Sequence, residues 1–211
     1  CYDPGLLFED TGKEMKKYVL HPADTFDDHA MYLREMRVDS AWNVSVGERR
    51  KVIDYANLER PARGLRAEGY HGYKIGDYYY IFMIQGCDGQ RQEIVWRSKS
   101  LDNGTWEGRI VFGGEMTDEQ GNIVMKTNGI AQGGIVETPD GEWWCFLFKD
   151  YGAVGRMPVW LPMTWSADGW PIVGNGTTDQ LPKGRNMTSP YRVSLPPSKG
   201  MSIVQSDEFR S

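Results

Sequence analysis

Three polar side chains recur along the chain at nearly even intervals. They are Asp3, Glu68 and Gln132, and each precedes Pro or Gly, in Asp3-Pro4, Glu68-Gly69 and Gln132-Gly133. Two of the three are carboxylates. A carboxylate pair in a cleft is the set that cleavage of a glycosidic bond requires. One member must stay protonated to give its proton to the leaving oxygen, and a neighbouring negative charge raises its pKa by like-charge repulsion. On spacing alone a second reading stands level with this one: Asp3 and Glu68 could cap the starts of strands or satisfy turn amides.

The elements that carry these residues decide whether they can meet. Eight or nine positions beyond each lies a turn glycine, Gly12, Gly76 or Gly141, and these glycines repeat at the same interval to within one position. Strand-like apolar stretches precede these turns. Tyr18-Val-Leu20, Tyr78-Tyr-Tyr-Ile-Phe82 and Trp143-Trp-Cys-Phe-Leu-Phe148 follow them. A second landmark has the same period. Trp42, Trp106 and Trp170 are evenly spaced, and Gly47, Gly108 and Gly174 follow them closely. Each unit holds about four short alternating runs, which predicts four-stranded propeller blades around a central channel. Innermost strands begin at the channel mouth, so Asp3, Glu68 and Gln132 should converge there.

A chain of 211 residues holds only a little over three such units, fewer than the four to eight blades with which a propeller closes. The chain is therefore expected to be all-β and part of a larger propeller, incomplete over residues 1–192 and lacking its first blade. Residues 193–211, with Ser194-Leu-Pro-Pro-Ser-Lys199, read as a linker. Glu48 to Arg66 reads as one helical turn or a long charged loop.

Composition sets further bounds. Hydrophobic residues make up 40% and aromatic residues 12%, with a net charge of −5, which excludes a disordered chain. Acidic residues outnumber basic ones by 29 to 24, which argues against a nucleic-acid partner. No stretch of about 18 apolar residues is present to span a bilayer, and no membrane partner is expected. Cys1, Cys87 and Cys145 form no CxxC pair, against a structural zinc site. Their odd number reads as free thiols and leans to a reducing, cytoplasmic compartment, with secretion left open. Cys145, within a strand run, should be buried and inert. Tyr78, Tyr79, Tyr80, Trp143 and Trp144 read as core. Tyr70, His71 and Trp160 lie nearer the channel face, where they could stack on a sugar.

Several segments resemble glycoside hydrolase family 43. Asp3-Pro-Gly-Leu-Leu-Phe-Glu-Asp-Thr-Gly12 and Glu68-Gly-Tyr-His-Gly-Tyr-Lys-Ile-Gly-Asp-Tyr-Tyr-Tyr-Ile-Phe82 are similar to two of its inner-strand motifs. Arg97-Ser-Lys-Ser100, Asn103-Gly-Thr-Trp-Glu-Gly108, Ala131-Gln-Gly-Gly134, Gly152-Ala-Val-Gly-Arg-Met-Pro158 and Thr164-Trp-Ser-Ala-Asp-Gly-Trp-Pro171 follow in the family's order. Together these segments extend along most of the chain, from its first positions to just past Pro171.

The resemblance implies a five-bladed β-propeller, with about three and a half blades in this chain. It implies an inverting hydrolase of the β-xylosidase or α-L-arabinofuranosidase type, acting on pentose-containing oligosaccharides or polysaccharides. An arabinanase and a non-catalytic carbohydrate-binding propeller are the alternatives. By matched position, Glu68 is the general acid and Asp3 the aspartate that raises its pKa and orients it. Arg156 contacts the sugar and the Asp3 carboxylate, with Gln132, Tyr70 and His71 as further substrate contacts. Gln132 stands where family members more often carry a histidine that helps hold a central water or calcium ion. Its carbonyl oxygen is compatible with Ca²⁺, although no cofactor is required. The family's general base precedes the matched Asp-Pro segment, and Asp24, Asp27, Asp28 and Asp150 do not match its motif. The base is accordingly expected from an N-terminal fragment of the same polypeptide. Gln205-Ser-Asp-Glu-Phe209 resembles the start of a C-terminal β-sandwich domain, a second expected partner segment.

Overall fold

The computed structural model describes residues 3–22, 30–54, 67–85, 91–102, 104–113, 115–117, 123–126, 130–150 and 152–174. They form three antiparallel sheets of four or five strands and one two-stranded hairpin, all built from consecutive strands. The first contains β1 (Gly5–Asp10), β2 (Met15–Pro22), β3 (Ala30–Val38) and β4 (Val44–Val46), with β5 (Arg50–Asp54) also on β3. The second contains β6 (Glu68–Ile75), β7 (Tyr78–Gln85), β8 (Gln92–Ser98) and β9 (Glu107–Gly113). A hairpin of β10 (Glu115–Thr117) and β11 (Ile123–Lys126) precedes the third sheet. That sheet contains β12 (Ala131–Glu137), β13 (Trp143–Asp150), β14 (Arg156–Trp165) and β15 (Pro171–Val173). The one helical element among the described residues is a 3-10 turn at Gly152–Val154.

Both sequence landmarks hold equivalent places. Gly12, Gly76 and Gly141 sit in the turns after β1, β6 and β12 with φ of 74°, 54° and 80°. Trp42, Trp106 and Trp170 each lie just before the fourth strand of their sheet. One period of the sequence is one four-stranded blade.

The middle sheet is buried on both faces. Along β7, Tyr79, Ile81 and Met83 join the core shared with the first sheet, whereas Tyr80 and Phe82 join the core shared with the third. Along β8, Ile94 and Trp96 face one way and Val95 the other. Period-2 geometry on a doubly covered sheet accounts for the unbroken apolar run from Tyr78 to Ile84. Burying each large side chain such as Phe82 contributes roughly 1.5–3 kcal/mol.

Polar fasteners add direction to this stacking. The Tyr79 hydroxyl donates to Glu9 Oε1 at 2.5 Å, which joins the second sheet to the first. Tyr80 Oη donates to the Gly169 carbonyl at 2.7 Å, and Arg97 donates to the Asp168 carbonyl. The Arg97 guanidinium pairs with Glu107 at 3.0 Å and lies 4.1 Å from the Trp170 ring centroid. Cys145 is fully buried, as expected, and burial pushes its thiol pKa up.

Part of the Glu48–Arg66 stretch is strand, where a helical turn or loop was expected. Arg50–Asp54 pairs with β3 beyond the end of β4, and that edge gives its backbone groups partners. Residues 55–66 of that stretch, the expected partial fourth blade, the 193–211 segment, Cys1, Cys87, Asp24, Asp27 and Asp28 lie outside the described residues.

Candidate active site

The inner strands β6 and β12 carry the same irregularity. In the second sheet Glu68 pairs with Ile84 and His71 with Phe82, so Gly69 and Tyr70 face the single residue Met83. In the third, Ala131 pairs with Phe148 and Gly134 with Phe146, so Gln132 and Gly133 face Leu147. Each is a β-bulge, which bends the strand and re-aims side chains near its start. Gly69 and Gln132 occupy the same bulge position with φ of 66° and 60°, and Asp3, just before β1, has φ 44°. This register differs from the sequence expectation by one position. Glu68 aligns with Ala131, one place ahead of Gly69 and Gln132, so the three polar side chains are not strict equivalents.

They nevertheless assemble at one end of the inner strands. Gln132 Nε2 donates to Asp3 Oδ2 at 3.3 Å, although the two lie far apart in sequence. Gly69 makes room for that contact. A Cβ on Gly69 would lie 2.6 Å from Gln132 Nε2 and 2.8 Å from its Cγ. Gly5 serves a related need where β1 crosses β6, because a Cβ there would stand 1.8 Å from the Tyr70 carbonyl oxygen.

Glu68 is half-buried beside this contact. Burial raises its pKa above the ordinary carboxylate value, and the negative charge of Asp3 raises it further. Arg156 and Arg91 pull it partly back. These two arginines share Asp150, at 3.6 Å from Arg156 Nε and 2.5 Å from Arg91 Nη2. Both also lie over the Phe148 ring, at 4.6 and 5.2 Å. The ion pair that the structure gives Arg156 is thus with Asp150, whereas the sequence expectation paired it with Asp3.

A cavity of about 830 Å³ extends from this end along the inner strands, past His71 and Gln132, to Ile75, Glu137 and Trp143. His71 lines it. The atoms around its ring partly desolvate it and lower its pKa. Tyr70 is a correction to the expected sugar contacts. Its side chain is 1% exposed, belongs to the core, and donates its hydroxyl to the Ala67 carbonyl at 2.9 Å. Stacking on a sugar would require opening that core. Trp160 also differs from expectation: it packs edge-on against Phe146 at 4.8 Å, away from the cavity lining. No three His, Cys, Asp or Glu side chains cluster as a metal site among the described residues. Gln132 turns its amide N–H, a donor, toward Asp3.

Sequence reasoning missed Arg91, the Asp150 bridge and Glu93. Glu93 lies on β8 with no solvent exposure, and its Oε2 accepts a hydrogen bond from the Gln132 backbone N–H at 2.8 Å. The available signal was a lone carboxylate inside the apolar strand Gln92–Ser98.

Residues 1–171 match the family model for glycosyl hydrolases family 43. The chain belongs to that family. Its three sheets are accordingly blades of the family 43 β-propeller. The chain is 30% identical over 175 residues to a non-reducing end alpha-L-arabinofuranosidase of Bacteroides ovatus, covering 74% of this chain and 31% of that protein. It is 35% identical over 108 residues to a putative beta-xylosidase of Xylanibacter ruminicola, covering 51% and 19%. It therefore spans a fifth to a third of the length of these relatives. Among solved structures, a bifunctional GH43-CE protein of Bacteroides eggerthii is 31% identical with a TM-score of 0.61, over 93% of this chain and 21% of that one. A family 43 enzyme engineered to display both endo-xylanase and exo-arabinofuranosidase activity is 28% identical with a TM-score of 0.60, over 86% and 30%.

Proposed function

We propose that this chain carries the acid half of the catalytic centre of an inverting glycoside hydrolase that releases xylose or arabinose from xylan or arabinoxylan oligosaccharides. The observation that carries this reading is the half-buried Glu68 carboxyl, with its pKa raised first by burial and then by Asp3. Glu68 is the general acid and protonates the leaving glycosidic oxygen. The negative charge of Asp3 beside it raises its pKa further and so favours the protonated acid. Gln132 orients Asp3, while Arg156 and His71 face the sugar. The general base is a carboxylate N-terminal to Asp3 in the same polypeptide. It activates water on the opposite face of the sugar, roughly 6.5–9.5 Å from the acid. The xylosidase and arabinofuranosidase names of the relatives favour a pentose as the released sugar.

The test uses the full-length protein on a natural xylo- or arabinoxylo-oligosaccharide and on the aryl β-xyloside and aryl α-arabinofuranoside. Glu68→Gln should lose about 10²–10⁴-fold in kcat/KM on the oligosaccharide. The aryl glycosides should suffer less, because a phenolate leaves with little protonation. Undiminished oligosaccharide hydrolysis by the variant refutes Glu68 as the acid.

A further inference from the structure

One fully buried carboxyl group has no place in this acid chemistry. Glu93 is fully buried in the second sheet, yet it reaches the third. Its Oε2 takes the backbone N–H of Gln132 at 2.8 Å, while Oε1 meets no hydrogen-bond partner among the described residues. A carboxyl group with one idle oxygen in a dry interior is destabilising, and an apolar residue would pack there more favourably. The contact it makes falls on a residue that needs help. Gln132 holds φ 60°, a left-handed conformation that non-glycine residues rarely adopt. The equivalent bulge position in the second sheet is Gly69, which adopts it at little cost. In this conformation the Gln132 carboxamide is presented to Asp3, 3.3 Å away.

We propose that Glu93 is a positioning residue that clamps the Gln132 backbone in its left-handed conformation, so that the Gln132 side chain holds the Asp3 carboxylate beside Glu68. The proposal rests on the reading of Glu68 and Asp3 as the acid pair. The chain of contact runs from Glu93 Oε2 to Gln132 N, then from Gln132 Nε2 to Asp3 Oδ2. It crosses from the second sheet to the third and then to the first. Glu93 touches no substrate. The titratable groups facing it are Tyr73 on β6 and Cys145 on β13, and no charged partner neutralises it among the described residues. Burial pushes its pKa well above the ordinary carboxylate value.

The test compares Glu93→Gln and Glu93→Met in the full-length protein. Gln retains an acceptor oxygen, whereas Met fills the space without one. Glu93→Gln should keep kcat/KM near wild type. Glu93→Met should lose about tenfold or more on the oligosaccharide, the size expected for displacement at a catalytic centre. Its alkaline pH limb should also move to lower pH, because Asp3 no longer holds Glu68 protonated against Arg156 and Arg91. A crystal structure of that variant should show Gln132 out of the left-handed region and away from Asp3. Hydrogen exchange of the wild-type Gln132 amide, which needs no variant to fold, should be slow. Fast exchange there, or a Glu93→Met protein with wild-type pH limb and an unmoved Gln132, overturns the proposal. Glu68→Gln separates the two ideas: if it keeps full activity the acid assignment fails, and Glu93 is then judged on the Gln132 geometry and exchange alone.

Discussion

Gly69→Ala is expected to damage the site more than it damages the fold, and the structure separates the two effects. Alanine at φ 66° costs about 1–2 kcal/mol in backbone strain. A protein of this size loses roughly 2–4 °C in Tm per kcal/mol, so a fall of a few degrees is expected. The steric effect is distinct. The new Cβ lies 2.6 Å from Gln132 Nε2, 2.8 Å from Cγ and 3.0 Å from Cδ. An ordinary carbon contact needs about 3.5–4.0 Å, so the carboxamide must retreat by close to an ångström. Its bond to Asp3 already spans 3.3 Å and has little length left to lose. Asp3 loses its donor, and kcat/KM on the oligosaccharide should fall about tenfold or more. Gly141→Ala is the control. Its φ is 80°, and its Cβ meets nothing within 4 Å, so it bears the backbone cost without the collision. It should lower Tm by a similar amount and leave kcat/KM unchanged. Steady-state kinetics and thermal unfolding of the two variants provide the check. Equal kinetic losses in both, or none in either, would refute the argument that Gly69 shapes the site through Gln132.

Asp3→Asn removes the negative charge that raises the Glu68 pKa while Arg156 and Arg91 continue to lower it, so the alkaline limb of kcat/KM against pH should move to lower pH; an unmoved limb shows that the two carboxylates are not coupled. Tyr73→Phe removes the acceptor of the Ile135 backbone N–H at 2.9 Å and should cost about 1–3 kcal/mol by denaturant unfolding. Glu93 also sets a sign in the pH dependence of stability. Its native pKa lies above its unfolded value, so the folded state binds the extra proton, and stability is lost as pH rises above the ordinary value of 4.5. The Tm advantage of Glu93→Gln over wild type should therefore grow as pH is raised from 4 toward 7, and a constant difference would contradict the buried, neutral carboxyl.

The blade repeat was legible because it rests on residues whose backbone demands leave a mark in sequence. Gly12, Gly76 and Gly141 mark turns that require positive φ, and Trp42, Trp106 and Trp170 mark the approach to each fourth strand. Glu68, Asp3 and Gln132 were legible for the same reason, since each lies a nearly fixed count from its turn. The count was off by one at Glu68 because turn lengths differ. Ile75 pairs directly with Tyr78, whereas Glu137 pairs with Trp143 across a longer turn. Spacing to a turn therefore does not fix the bulge register. Tyr70 misled for another reason: an aromatic at the mouth-side end of an inner strand looks the same in sequence whether its ring turns to the channel or to the next sheet. The Arg156 partner was a nearby signal left unread, because Asp150 stands directly opposite it across the β13–β14 hairpin, whereas Arg91 joins them through the fold.

An innermost propeller strand has an edge with no neighbouring strand, and its backbone donors there must still be satisfied. In the third sheet two of them turn to side chains of the second. Ile135 N–H meets the Tyr73 hydroxyl, and Gln132 N–H meets Glu93. Both acceptors therefore join blades and at the same time fix the inner strand on which Gln132 sits. The contact that holds Asp3 depends on this edge. It follows that the stacking of the blades and the electrostatics of the acid pair are not independent properties. A substitution between the second and third sheets that shifts one against the other by an ångström would release a backbone donor and misplace the Gln132 amide together. Such a change should appear in the pH limb assigned to Glu68 even when it lies far from the cavity. One that loosens the outermost strand β15 should lower Tm alone.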